Sequence, residues 1–238
     1  MSGGWQARRF WQAAATRPLA DGWEVVLDDR PLRTPGKQPL ILPTEALARA
    51  LAAEWDSQGD LVDPGTMPLT RAANSALEKV APNFESVAAM LAEYGGTDLL
   101  SYRAAAPADL VRRQAAGWDP LLDWAAADLG ARLVLAEGVM PVTQDARALE
   151  HLHHLLLGLD VFGLTALHDL VVLPGSLILG LAVIRGRISG AEAFALSRID
   201  EDFQAEQWGH DAEAADAAGN RRQAILSSER FWHLSRQG

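Results

Sequence analysis

The chain has no cysteine, only two lysines (Lys37 and Lys79), and no apolar run long enough to cross a bilayer. Without cysteine there can be no disulfide framework, no thiolate zinc site and no Cys nucleophile. Positive charge is scarce, with 21 Lys plus Arg against 31 Asp plus Glu and a formal net charge of -10. Nucleic acid would meet repulsion, so it is not an expected partner. The most apolar stretch, residues 170–184, is interrupted by Pro174 and Gly175 and falls short of the roughly 20 residues a spanning helix needs. It reads as buried core, and no membrane insertion is expected. The basic pair Arg8 and Arg9 is not followed by an apolar segment with a small-residue cleavage site, so no secretory signal is expected either.

What remains has the balance of a folded globular protein, 49% hydrophobic and 22% charged over 238 residues. Residues 23–27 have strand-forming character, Asp28 and Asp29 can turn, and residues 30–34 can return before a second turn at Pro35, Gly36 and Lys37. A third short run follows at 39–42. Prolines confine these runs to strand starts and edges. From Thr44 the pattern becomes helical: Thr44 is a candidate N-cap, and Leu47, Leu51 and Trp55 recur every fourth residue on one face of a helix over 44–58. Further helices are expected at 68–80, 83–94, 107–129, 144–157, 160–173, 176–185, 189–213 and 220–234, with a short hairpin between 132–135 and 139–142. The expected fold is α+β: a small N-terminal antiparallel β domain (1–43) followed by a larger all-helical domain (44–238).

Catalytic signatures are hard to find. His151, His153 and His154 beside Glu150 lack the four-residue His spacing and intervening Glu of the zinc-protease motif, and read better as surface or half-buried helix residues. His168 and Asp169 are neighbours on a helix and diverge by about 100°. Ser176 has Pro174 and Ile178 where a nucleophile elbow needs glycines. Neither phosphate-binding glycine motif is present.

The segment 189–213 is more informative. Ser189 with Glu192 has capping-box spacing. Leu196, Ile199 and Phe203 then share a core-facing side, while Trp208 lies about 180° from Ile199, alongside Glu201 and Gln204. A helix buried on two sides would take Trp208 into the core. Against that stands its company: Asp200, Glu201, Asp202, Glu206, Asp211 and Glu213 are opposed on this helix by Arg198 alone, and like charges four apart are locally unfavourable. An exposed tryptophan amid acids would suit a basic or partly unfolded partner. Asp200 and Glu201 as an acid–base pair would be the enzymatic alternative, though adjacent helix positions do not converge on one atom. A similar acid–tryptophan cluster, Glu54 to Gln58, ends the first helix, where Trp55 continues the apolar stripe.

The run Ser197 to Gln204 with Gln207, Trp208 and Gly209 resembles a motif of the chaperones that assemble the catalytic head of F-type ATP synthase, of the type that binds the α subunit. Other blocks agree in order: Phe10 and Trp11 with Asp21, Gly22 and Trp23; Arg30 to Pro35; Pro39 to Pro43; Glu54 to Gln58; and Met67 to Thr70 with Asn74 and Ser75. The resemblance implies a small β domain on a helical domain, no enzymatic activity, no cofactor, no metal, and a chain that is monomeric until it holds the α subunit. It implies client-binding roles for Asp200, Glu201, Gln204 and Trp208, with Asp211 extending the acidic surface, and structural roles for Trp55 and Trp23. Members act in mitochondria (the matrix, for eukaryotic relatives) and in bacteria; with no Ser-rich presequence evident, a bacterial cytoplasmic setting is expected.

Overall fold

A computed structural model describes residues 7–138, 142–209 and 211–237. Three antiparallel strands, β1 (Ala14–Leu19), β2 (Gly22–Leu27) and β3 (Arg30–Pro31), lie in chain order. β1 was not among the expected strands. Its Thr-Arg-Pro-Leu sequence lacks a strand pattern, and Pro18 is tolerated because β1 is an edge, paired with β2 only. Asp28 makes the β2–β3 turn in the left-handed region, at φ 52°. The run at 39–42 supplies isolated bridges rather than a strand: Pro39 bridges to Arg33, and Leu42 and Trp23 exchange backbone hydrogen bonds of 2.8 and 2.9 Å. Gly22 is required here, since a Cβ would come within 2.5 Å of the Leu42 carbonyl oxygen.

Helices follow as α1 (Glu45–Asp56), α2 (Pro68–Ser75), α3 (Phe84–Glu93), α4 (Ala108–Asp128), α5 (Ala146–Leu157), α6 (Val161–Val172), α7 (Leu177–Ile184), α8 (Gly190–Ser197), α9 (Ile199–Trp208) and α10 (Ala212–Leu234). The Thr44 hydroxyl caps α1 by accepting from the Leu47 amide, and Leu47 and Leu51 are fully buried. α2 continues into a π-helical turn, Ala76–Val80. In place of the expected hairpin, Ala136–Glu137 (β5) pairs in parallel with Tyr102–Arg103 (β4), and 132–135 form no strand; residues 139–141 of the second arm lie outside the described residues.

Two apolar clusters hold the molecule together. The first joins the sheet to α1 and α2 through residues such as Val25, Leu42, Leu47 and Leu69, and takes in Ala166 of α6 and Phe231 of α10. The second fills the helical region around Trp118, Leu152, Leu167 and Leu177. The end of the chain ties back to the start, because the Thr44 hydroxyl also donates to the Leu234 carbonyl at 2.6 Å. Residues 220–234 are therefore part of the framework.

Candidate acidic client-binding helix

The expected single helix over 189–213 is three pieces. Ser189 and Glu192 form the capping box that starts α8. The chain bends at Arg198 (φ −108°, ψ 7°), and α9 begins with Asp200, Glu201 and Asp202 in its first turn. Acids are favoured there by the unpaired amides and the positive end of the helix dipole, which gives the break its physical reason. α9 stops at Gly209, whose φ of 96° suits glycine, and Asp211 then caps α10 by accepting from the Glu213 amide at 3.1 Å. α10 starts at Ala212, well before the expected 220, and runs through Gly219.

α4 sets the orientation of α9. Gly117 lets the helices approach closely, since a Cβ there would sit 2.8 Å from Ile199 Cδ1. Trp118, fully buried, donates its indole N–H to the Leu196 carbonyl at 2.9 Å. Phe203 is buried with the Arg113 guanidinium 5.3 Å over its ring, and the same guanidinium forks onto Glu206 with two hydrogen bonds of 2.8 Å. Those bonds hold Arg113 above its ordinary pKa. Gln114, only 1% exposed, donates to Asp200 Oδ1 at 2.6 Å while accepting from the Ala104 amide.

The acids are thus less isolated than the sequence suggests. Arg198 hydrogen-bonds Asp202 at 2.9 Å and pairs with Glu201, and Arg221 of α10 lies 3.4 Å from Glu201. Arg113 and Arg221 come from elements distant in sequence, so helix periodicity could not reveal them. The like-charge cost of the cluster is offset by these arginines and by the helix N-terminus.

The five residues singled out from sequence divide by environment. Asp200 is half-buried and held by Gln114. Glu201, Gln204 and Trp208 are exposed, at the i, i+3, i+7 spacing of one face. Asp211 is exposed but engaged as a cap. Trp208 is 81% exposed, so the doubly buried helix that periodicity left open is not what forms. Trp55 packs edge-on against Trp11, ring centres 5.2 Å apart, and Trp23 bridges to Leu42.

The other candidates do not assemble. His151 Nδ1 contacts the Gly130 carbonyl and His154 Nδ1 the Glu150 carbonyl, so the histidines are turned to separate partners. His168 does reach its neighbour, Nδ1 to Asp169 Oδ1 at 2.8 Å, despite the expected divergence; at adjacent positions the side-chain torsions close the gap. Among the described residues no three potential ligands gather as a metal site, and no helix is long and apolar enough to cross a membrane.

α9 is thus a rigidly mounted helix that presents acids and an open tryptophan to solvent. Residues 8–126 match the sequence profile of the ATP12 chaperone protein family. The crystal structure of Atp12 from Paracoccus denitrificans is 64% identical, covers 97% of this chain and 99% of its own, and superposes with a TM-score of 0.94. An aspartate-to-lysine variant of the Paracoccus protein gives the same identity and TM-score over 97% of this chain and 98% of its own. The mitochondrial protein atp12 of Schizosaccharomyces pombe is 25% identical over 214 residues, 85% of this chain and 74% of the relative. The chain belongs to the ATP12 family of ATP synthase assembly chaperones, and it is a chaperone, not an enzyme.

Proposed function

We propose that this chaperone holds the α subunit of F-type ATP synthase before the catalytic head assembles, in a bacterial cytoplasm, through the outer face of α9. The observation that carries the reading is Trp208, 81% exposed beside Glu201 and Gln204 on a helix that α4 fixes in place. Water contact with so large an apolar side chain is relieved when a partner covers it, and tryptophan is prominent among residues that dominate binding energy. The carboxylates would select a basic segment and speed encounter. Asp200 and Asp211 act from behind, one orienting the first turn of α9 and the other starting α10. Client binding uses no cofactor, and the free chaperone is a monomer.

Co-expression with the α subunit tests this. Glu201→Lys together with Trp208→Ala is expected to abolish co-purification of the α subunit while the fold is retained. Capture at the level of the unsubstituted chain would overturn the assignment of the site.

A further inference from the structure

A trough of about 830 Å³ lies between α2, the π-helical turn, α3, α6 and α10, and no α9 residue lines it. α2 and the π-helical turn contribute a row with four-residue steps, Arg71, Ser75 and Lys79; α10 contributes a second row, Asn220, Gln223 and Ser227. Half-buried Val87 and exposed Met90 of α3 supply the trough's accessible apolar lining, above the buried Ala166 and Phe231 of the sheet-side cluster. Charge here runs against the rest of the molecule. In a chain of net charge -10, the ionic groups lining the trough are Arg71, Lys79 and one acid, Asp169, which His168 already engages at 2.8 Å. Arg71 and Lys79 are exposed, and among the described residues neither forms an ion pair; the Glu78 carboxyl beside Lys79 is held below its ordinary pKa by hydrogen bonds from Thr34 and Gly36, with Lys79 adding a smaller part. The π-helical turn is an independent sign, since such turns cost regular hydrogen bonding and recur at functional sites.

We propose that this trough binds an extended acidic polypeptide segment of a partner protein. Arg71 and Lys79 are eight residues apart, roughly 12 Å along a helix. An extended chain advancing about 3.3 Å per residue places carboxylates four residues apart on both cations without drawing the two side chains together. Asn220, Gln223 and Ser227 supply donors and acceptors for the segment's main chain, and small apolar side chains meet Val87 and Met90. The site is separate from α9 and does not depend on the reading of that helix.

The test is fluorescence anisotropy of a labelled, end-capped nonapeptide with two glutamates four positions apart and leucine and alanine between them, titrated with the full chain at low salt. Saturable binding is expected, weakened about tenfold both by Arg71→Glu with Lys79→Glu and by exchanging the peptide's glutamates for glutamine, and unchanged by Trp208→Ala. The glutamine peptide against the unsubstituted chain decides the matter even if the double variant folds poorly. No binding, or equal binding of both peptides, overturns the proposal. So does complete displacement by millimolar inorganic phosphate, which would mark a small-anion site, or self-association of the chain that the double variant abolishes.

Discussion

Residues 54–58 and residues 200–211 have much the same makeup, acids and amides around a tryptophan near a helix end, and the fold puts them to opposite uses. In the first segment Glu54, Asp56, Ser57 and Gln58 all make hydrogen bonds within the molecule. The Glu54 carboxylate accepts from the Leu69 and Thr70 amides, each at 2.8 Å, and from the Thr70 hydroxyl at 2.7 Å, capping a helix whose own N-cap position, Met67, has no capping side chain. Asp56 holds the Ala14 amide at the start of β1, and Gln58 bonds Glu54, Thr66 and Asp63. In the second segment the arginines and Gln114 engage Asp200, Glu201, Asp202 and Glu206, and Gln204 and Trp208 are left to solvent. Composition could not tell them apart; the fate of each hydrogen-bonding group does.

The comparison can be broken most forcefully at Glu54. Glu54→Ala leaves buried amides at the start of α2 without acceptors, and is expected to cost about 3–4 kcal/mol of stability in urea unfolding. A loss near zero would show that the cap is dispensable and that the two segments are alike. Asp98 sharpens the same contrast. It is fully buried, accepts from the Ser176 hydroxyl and the Leu100 and Ile178 amides, and burial pushes its pKa up to about 6. A raised carboxyl pKa means the folded state keeps a proton that the unfolded state releases. The stabilisation is therefore complete below about pH 4 and lost as pH rises towards about 6, by roughly 3 kcal/mol. Asp98→Asn is expected to flatten the stability curve in that window; an unchanged slope would assign the titration to another group.

Smaller effects belong to the two tryptophans. Trp55→Ala opens a gap against Trp11 and is expected to cost about 2 kcal/mol in thermal or urea unfolding. Trp208→Ala is expected to change stability by less than about 0.5 kcal/mol, since the ring is already in water. In a variant retaining only Trp208, emission should be red-shifted and readily quenched by acrylamide. A blue-shifted, protected emission would place the ring in a core and cancel the contrast.

Much of this was legible in local chemistry. Thr44 as a cap, the Ser189–Glu192 box, and Leu47 with Leu51 as a core stripe all form as their spacing requires. Two kinds of feature were not legible. β1 has no strand pattern of its own and exists because β2 offers it a partner. The bend at Arg198 interrupts a sequence whose apolar residues continue with helical period, and only the acids at 200–202 hint at a new helix start. The counter-charges Arg113 and Arg221 were invisible for a similar reason, since a tertiary ion pair leaves no local trace. The early start of α10 rests on the Asp211 cap, which looked like one more acid of the cluster.

The claim at the centre is that α9 binds and residues 54–58 do not. The direct measurement compares Trp208→Ala and Trp55→Phe in one experiment, scoring capture of the α subunit and melting temperature side by side. Capture lost with melting unchanged for Trp208→Ala, and capture kept with melting lowered for Trp55→Phe, is the expected result. Capture retained by Trp208→Ala, or lost only in step with melting, would contradict it.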